Sequence, residues 1–201
     1  MIISTPPVDD VRGHAADMYA DDIAEDGFVF GHTRAMAVNP EAHEAFLALI
    51  RAIVPSIGVR VYEAATLGAA RAIGSGHCLL AHGRKSLRAD VVDEKGLSSF
   101  AHGDDSGFDD AERAVIRYAE KLSSDPGSMT DADTVALREA GFSDRQIVDI
   151  TLAAGARNHF SRSLLALAVP LDEVPGLEPS LARSLVEAAR AGGERRPTAD
   201  R

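Results

Sequence analysis

Helix boundary signals recur along this chain, and strand signals are almost absent. Asn39-Pro40, Asp109 with Glu112, Thr130 with Asp133 and Ser143 with Gln146 each place a capping residue ahead of an apolar-periodic run. That arrangement satisfies the orphan amides of a helix start. Gly141 follows one such run as a C′ glycine. The β-branched runs are short, and no Asn-Gly or Asp-Gly turn separates alternating segments. Alanine and leucine, both strong helix formers, fill the runs, while aromatic residues are 5% of the chain and tryptophan is absent. The predicted class is all-α, a multi-helix bundle.

Boundaries follow from the same punctuation. Helices are predicted over about 11–23, from Pro40 to a stop at Pro55 and Gly58, over 60–73, 77–87, 109–122, 130–140, 143–168 and 179–191. Residues 88–108 read as a polar connection, most loop-like and mobile at 102–107. The 201 residues fit one domain: a core at about 30–170, a helical extension at 171–193 and a frayed tail at 194–201.

Composition narrows the function classes. Apolar residues are 45% and charged residues 26%, ordinary globular values, so the chain has material for a core. A net charge of −10 speaks against nucleic acid and anionic membrane as partners. No apolar run approaches the ~18 residues of a spanning helix. The first residues lack the basic-then-apolar layout of a signal peptide. The lone cysteine permits no intrachain disulfide. The expected location is cytoplasmic. No phosphate-binding glycine loop or nucleophile elbow is present, so no cofactor is expected.

The chemistry concentrates between Glu63 and His82, in the run Glu63…Ser75-Gly-His77-Cys78-Leu-Leu-Ala-His82. Cys78 and His82 stand four apart, so on one helix they share a face, and an imidazole there can take a thiol proton. The Gly-Ser-Gly break puts Cys78 in the first turn of its helix with Ser75 as N-cap. Unpaired amides and the positive helix end favour an anion there, and the thiolate is the reactive form of cysteine. Glu63 lies roughly 22 Å from Cys78 on an unbroken helix; the glycine break lets the chain double back and bring it beside Cys78 or His82.

This stretch resembles the active-site motif of the carboxymuconolactone decarboxylase / AhpD-like alkylhydroperoxidase superfamily. Its peroxidase members carry a glutamate, then Cys-x-His-Cys or Cys-x-x-Cys, then a histidine four residues on. The resemblance spans about residues 30–170. It takes in Asn39-Pro40 before the motif and the run from Gly141-Phe142-Ser143 to Asn158 and Arg162 after it. It implies an AhpD-like bundle with Cys78 as peroxide-attacking nucleophile, Glu63 and His82 as proton relay and His77 as helper. It also implies a hydroperoxide substrate and a homo-oligomer. Ser75 falls where the family has its resolving cysteine. Oxidised Cys78 must then be restored by an external thiol or pair with Cys78 of another subunit.

Other readings stand beside this one. Glu63 and His82 could run acid–base chemistry, such as lactone decarboxylation, with Cys78 only shaping the pocket. A non-enzymatic oligomer or thiol sensor is the third. Singly, Cys78 could be a buried small hydrophobe, Glu63 a surface partner of Arg60, and His77 a solvated residue. A metal site is disfavoured, because His77 and His82 lie about 140° apart round a helix. His14, His32, His43, His102 and His159 form no cluster along the chain, although His159 could line the pocket.

Overall fold

The computed structural model describes residues 1–194, which form nine α-helices and no strand. These are α1 (His14–Asp26), α2 (Gly31–Met36), α3 (Pro40–Ile73), α4 (Gly76–Arg88), α5 (Glu94–Ala101), α6 (Asp110–Ser124), α7 (Asp131–Glu139), α8 (Asp144–Ala166) and α9 (Pro179–Glu194). The caps sit where the sequence puts them. Asn39 accepts from the Ala42 amide, Asp109 and Glu112 close a reciprocal box, and so do Ser143 and Gln146. The tail predicted to fray lies, from residue 195 onward, outside the described residues.

α3 is the axis of the bundle. Beyond Gly58 its residues Ala64, Ala65, Leu67, Ala69 and Ala70 lose all solvent contact, against α6 and α8 on its flanks and α4 and α9 beside them. Small side chains permit this closeness. At Gly68 a Cβ would stand 2.8 Å from the Ile116 carbonyl oxygen of α6, so α6 leaves no room for a side chain there.

Four features differ from the sequence reading. Pro55 does not stop the first predicted helix, which accommodates it and runs on to Gly58; there φ 78° and ψ 163° leave helical geometry, so α3 is two helical segments meeting at a kink, as the glycine signal predicts. Counted across that kink, α3 is by length and composition alone long and apolar enough to cross a membrane, with a mean hydropathy of 1.6 over an 18-residue window. The stretch 88–108 is no open connection: α5 starts on the Asp93 cap and buries Leu97 and Phe100, and Arg71 grips Asp105 at 2.8 Å in the segment that follows. Its apolar residues are too few and too spaced to announce a helix, and burial under α9 supplies what periodicity does not. α2, only six residues long, escaped notice for the same reason.

The segment before α3 forms a cap with its own small core of Val11, Ala15, Met18, Tyr19, Val29 and Ala37. Arg84 of α4 holds its Asp26 at 2.6 Å, and Asp172 accepts from the Gly31 amide at 2.7 Å. α9 joins the main core through Leu181, Leu185, Ala188 and Ala189.

Candidate functional site

The α3–α4 hairpin assembles the site. Gly74 ends α3 with φ 82°, the left-handed region that favours glycine, and Ser75 then caps α4 by accepting from the Cys78 amide at 3.5 Å. The chain folds back on itself, and Glu63 meets His82 across the two helices: Glu63 Oε2 lies 2.7 Å from His82 Nδ1. Both are buried, at 4% and 5% exposure, so Glu63 is no surface partner of Arg60, which pairs with Glu112 instead.

Cys78 is 2% exposed and lines a cavity of about 350 Å³ between the cap, α3, α4 and α8. Its hydrogen-bond partners are not the ones its sequence neighbours suggest. Ser161 Oγ donates to the sulfur at 3.1 Å and Arg157 Nη1 at 3.4 Å, both from α8. Arg157 Nη2 also donates to the Tyr62 hydroxyl at 3.3 Å. His82 lines the same cavity, but its bonded partner is Glu63 rather than the sulfur. His77 also lines the cavity, and its Nε2 is bonded to the Pro170 carbonyl at 2.9 Å.

Arg157, Ser161 and Tyr62 are the residues that sequence reasoning passed over. A signal existed: Ile147, Ile150, Ala154, Arg157, Ser161 and Leu164 recur at three- and four-residue steps along α8, and all six are buried. A charged residue at a core position of such a stripe requires a polar partner inside the protein. Here the partner is sulfur.

Burial governs the electrostatics. It pushes His82 down to about 4, with the Arg157 charge adding to the effect and Glu63 opposing it. Burial pushes Glu63 the other way, but His82, Lys85 and Arg157 outweigh it and hold the carboxyl below its ordinary range. The pair at neutral pH is therefore an ionised Glu63 and a neutral His82. A carboxylate only accepts, so Nδ1 carries the proton and Nε2 keeps a free lone pair. Burial opposes the charge on Arg157, but the sulfur and the Tyr62 hydroxyl overcome it and raise the guanidinium further.

Histidines that look scattered along the chain gather here. His14 of α1, His32 of α2 and His43 of α3 line the same cavity as His77 and His82. His14 Nε2 and His43 Nδ1 are 3.1 Å apart with stacked rings. His32 is pushed to about 3 by burial first and then by His77 and other nearby cations. His159 is exposed and packs on Phe46 without lining the cavity. Among the described residues no group of three or more His, Cys, Asp or Glu side chains is disposed to hold a metal ion.

Residues 40–121 match the carboxymuconolactone decarboxylase family. No curated protein matches the chain in sequence. Among solved structures, a peroxidase-related protein with an alkylhydroperoxidase AhpD core from Ralstonia eutropha JMP134 superposes with a TM-score of 0.70 at 19% identity, over 86% of this chain and 92% of that one. A peroxidase-related protein from Silicibacter sp. TM1040 gives 0.70 at 21% identity, over 85% and 91%. A cysteine-to-alanine variant of the debrominase Bmp8, in complex with 2,3,4-tribromopyrrole, gives 0.71 at 17% identity, over 94% and 97%. At such identities the superpositions establish a common fold. The chain thus carries, at 40–121, a segment that matches the carboxymuconolactone decarboxylase family, and it shares the all-α fold of these AhpD-core proteins.

Proposed function

We propose that this protein is a peroxidase-like antioxidant enzyme that reduces hydroperoxides through Cys78. The observation that carries the reading is the sulfur's surroundings: it lines a cavity and receives one O–H donor and one guanidinium N–H. Two donors and a positive charge suit a sulfur that carries negative charge, the nucleophilic form.

In the first step the Cys78 thiolate attacks the peroxide oxygen. An S–O bond forms as the O–O bond breaks, leaving Cys78 as a sulfenic acid and an alkoxide that takes up a proton. His82, with Glu63 stabilising its imidazolium, receives the thiol proton at Nε2 and passes it to that alkoxide. Burial, with the Arg157 charge adding to it, keeps His82 neutral in the resting site, ready to take a proton. Arg157 Nε is buried and has no hydrogen-bond partner among the described residues.

Regeneration needs two molecules of a small external thiol. The first forms a mixed disulfide with Cys78 and releases water; the second restores the thiol and leaves as a disulfide. A disulfide between subunits requires Cα atoms within about 7 Å, out of reach for a cysteine buried beneath a cavity. The expected setting is the cytoplasm, where such thiols are kept reduced.

Treating the protein with cumene hydroperoxide and a dimedone-type trap is expected to label Cys78 and no other residue. Cys78→Ala is expected to lose peroxide consumption. An unlabelled Cys78, or unchanged consumption in the variant, would overturn the reading. One observation favours acid–base catalysis as a second reading: Glu63 and His82 bond each other independently of the sulfur. Turnover kept in Cys78→Ser and lost in His82→Ala would select it.

A further inference from the structure

The cavity has one face that is apolar and one cation that is unclaimed. Phe46 of α3 and Phe160 of α8 stack at 5.1 Å between centroids with 27° between planes, and Ile50 and Leu164 extend that wall. The charged groups of the site are nearly all engaged. Glu63 holds His82, Asp22 accepts from the Phe30 amide, and Arg157 serves the sulfur and Tyr62. Lys85 and Asp21 are the exceptions, and Lys85 is the cation of the two: it forms no ion pair or hydrogen bond with any described residue. The two carboxylates whose fields reach it are bonded elsewhere, Glu63 to His82 and Glu25 to Arg88.

Its position matters as much as its freedom. Lys85 lies two turns along α4 from Cys78 and lines the same cavity. It also lines a smaller adjoining cavity of about 140 Å³, which shares Asp22, His32, His77 and Ala81 with the first. Lys85 keeps exposed surface where the reaction cavity meets solvent, while burial around its ammonium holds it below the ordinary lysine range. Arg157 and Arg84 add to the positive field at that point, although the chain as a whole carries −10. The histidines nearby add none at neutral pH, since His32 and His82 are held neutral by burial.

We infer that the cavity selects small acids with an apolar or aromatic body, the carboxylate seated on Lys85 and the body lying along Phe46 and Phe160. A lysine ammonium is a point charge suited to a monoanion, and the stacked rings give a flat surface for an apolar chain or ring. This rests on reading the Cys78 cavity as the substrate site, and it deepens the proposed function: the preferred hydroperoxide carries a carboxylate remote from the peroxide.

The test uses two probes without a peroxide, 4-phenylbutyrate and the neutral 4-phenylbutanol, titrated calorimetrically into the full-length protein. The acid is expected to bind about tenfold or more tightly than the alcohol, the gain of one charge-assisted contact. Lys85→Met is expected to erase the difference and Lys85→Arg to keep most of it, with circular dichroism confirming that each variant is folded. Equal affinity for the two probes, binding of neither, or a preference that survives Lys85→Met would overturn the inference. An acid preference in a protein that consumes no peroxide would support this inference and overturn the peroxidase reading, so the two fail separately.

Discussion

At the scale of single residues the site turns on what touches the sulfur. Ser161 and Arg157 reach it from a helix 83 and 79 positions away in sequence. Arg157→Met keeps much of the apolar stem and removes the charge. Its loss is expected to slow alkylation of Cys78 by iodoacetamide at pH 7 by about ten- to a hundredfold, the worth of one hydrogen bond to a charged group. Ser161→Ala is expected to have a smaller effect, and equal rates in all three proteins would dismiss both contacts. A second expectation concerns acid. His82 sits at about 4 and His32 at about 3 in the folded protein, against an ordinary 6.5. Between 6.5 and these values the unfolded chain binds protons that the folded chain does not, so stability falls as pH falls through that window. His82 alone contributes about 3 kcal/mol across it. The urea midpoint is therefore expected to drop from pH 7 to pH 5, and less steeply in His82→Gln; a midpoint independent of pH would refute the assignment.

At the scale of elements, the hairpin at Gly74 and Ser75 positions the chemistry. A Cβ at Gly74 would adopt an unfavourable positive φ and stand 2.7 Å from both the Ala189 carbonyl oxygen and the Gly193 amide of α9. Gly74→Ala is thus expected to cost more than about 1 kcal/mol in denaturant unfolding. It should also loosen the pairing of Glu63 with His82. Ser75→Ala is expected to cost about 1 kcal/mol through the lost cap. The alternative, in which this serine merely replaces a family cysteine without a structural role, requires no change in stability. The element α5 teaches a different lesson. Leu97 and Phe100 are fully buried, yet eight residues carry too few apolar positions for periodicity to be read, and the helix is recognisable only with α9 packed on it.

At the scale of the whole molecule, two surfaces bear on assembly and access. Leu49 and Val59 on α3, and Val148 and Leu152 on α8, are exposed large apolar residues on two helices that pack together. Large apolar side chains exposed on packed helices are where a second copy would bury surface. A homo-oligomer is the expected state, and Leu152→Glu with Val148→Glu is expected to shift the mass in light scattering toward one chain. A wild-type protein already monomeric at micromolar concentration would refute this. The cap, outside the matched segment 40–121, supplies His14, Met18, Asp22 and His32 to the cavity. It docks through Asp26 and Gly31 while keeping its own core, so it encloses the site without being part of the bundle's core.

The amino-acid sequence determined the helical class, the caps and the glycine hinge, because each is a local matter of spacing and backbone chemistry, and with the family resemblance it nominated Cys78, Glu63, His82 and His77. Periodicity within one helix can place Cys78 and His82 on one face. It cannot say that the imidazole turns to Glu63 while the sulfur turns to Arg157 and Ser161, since those preferences are settled by groups from other helices. The histidines of α1, α2 and α3 converge for the same reason. Only tertiary packing excludes water from these groups, and that exclusion decides which of them carry charge.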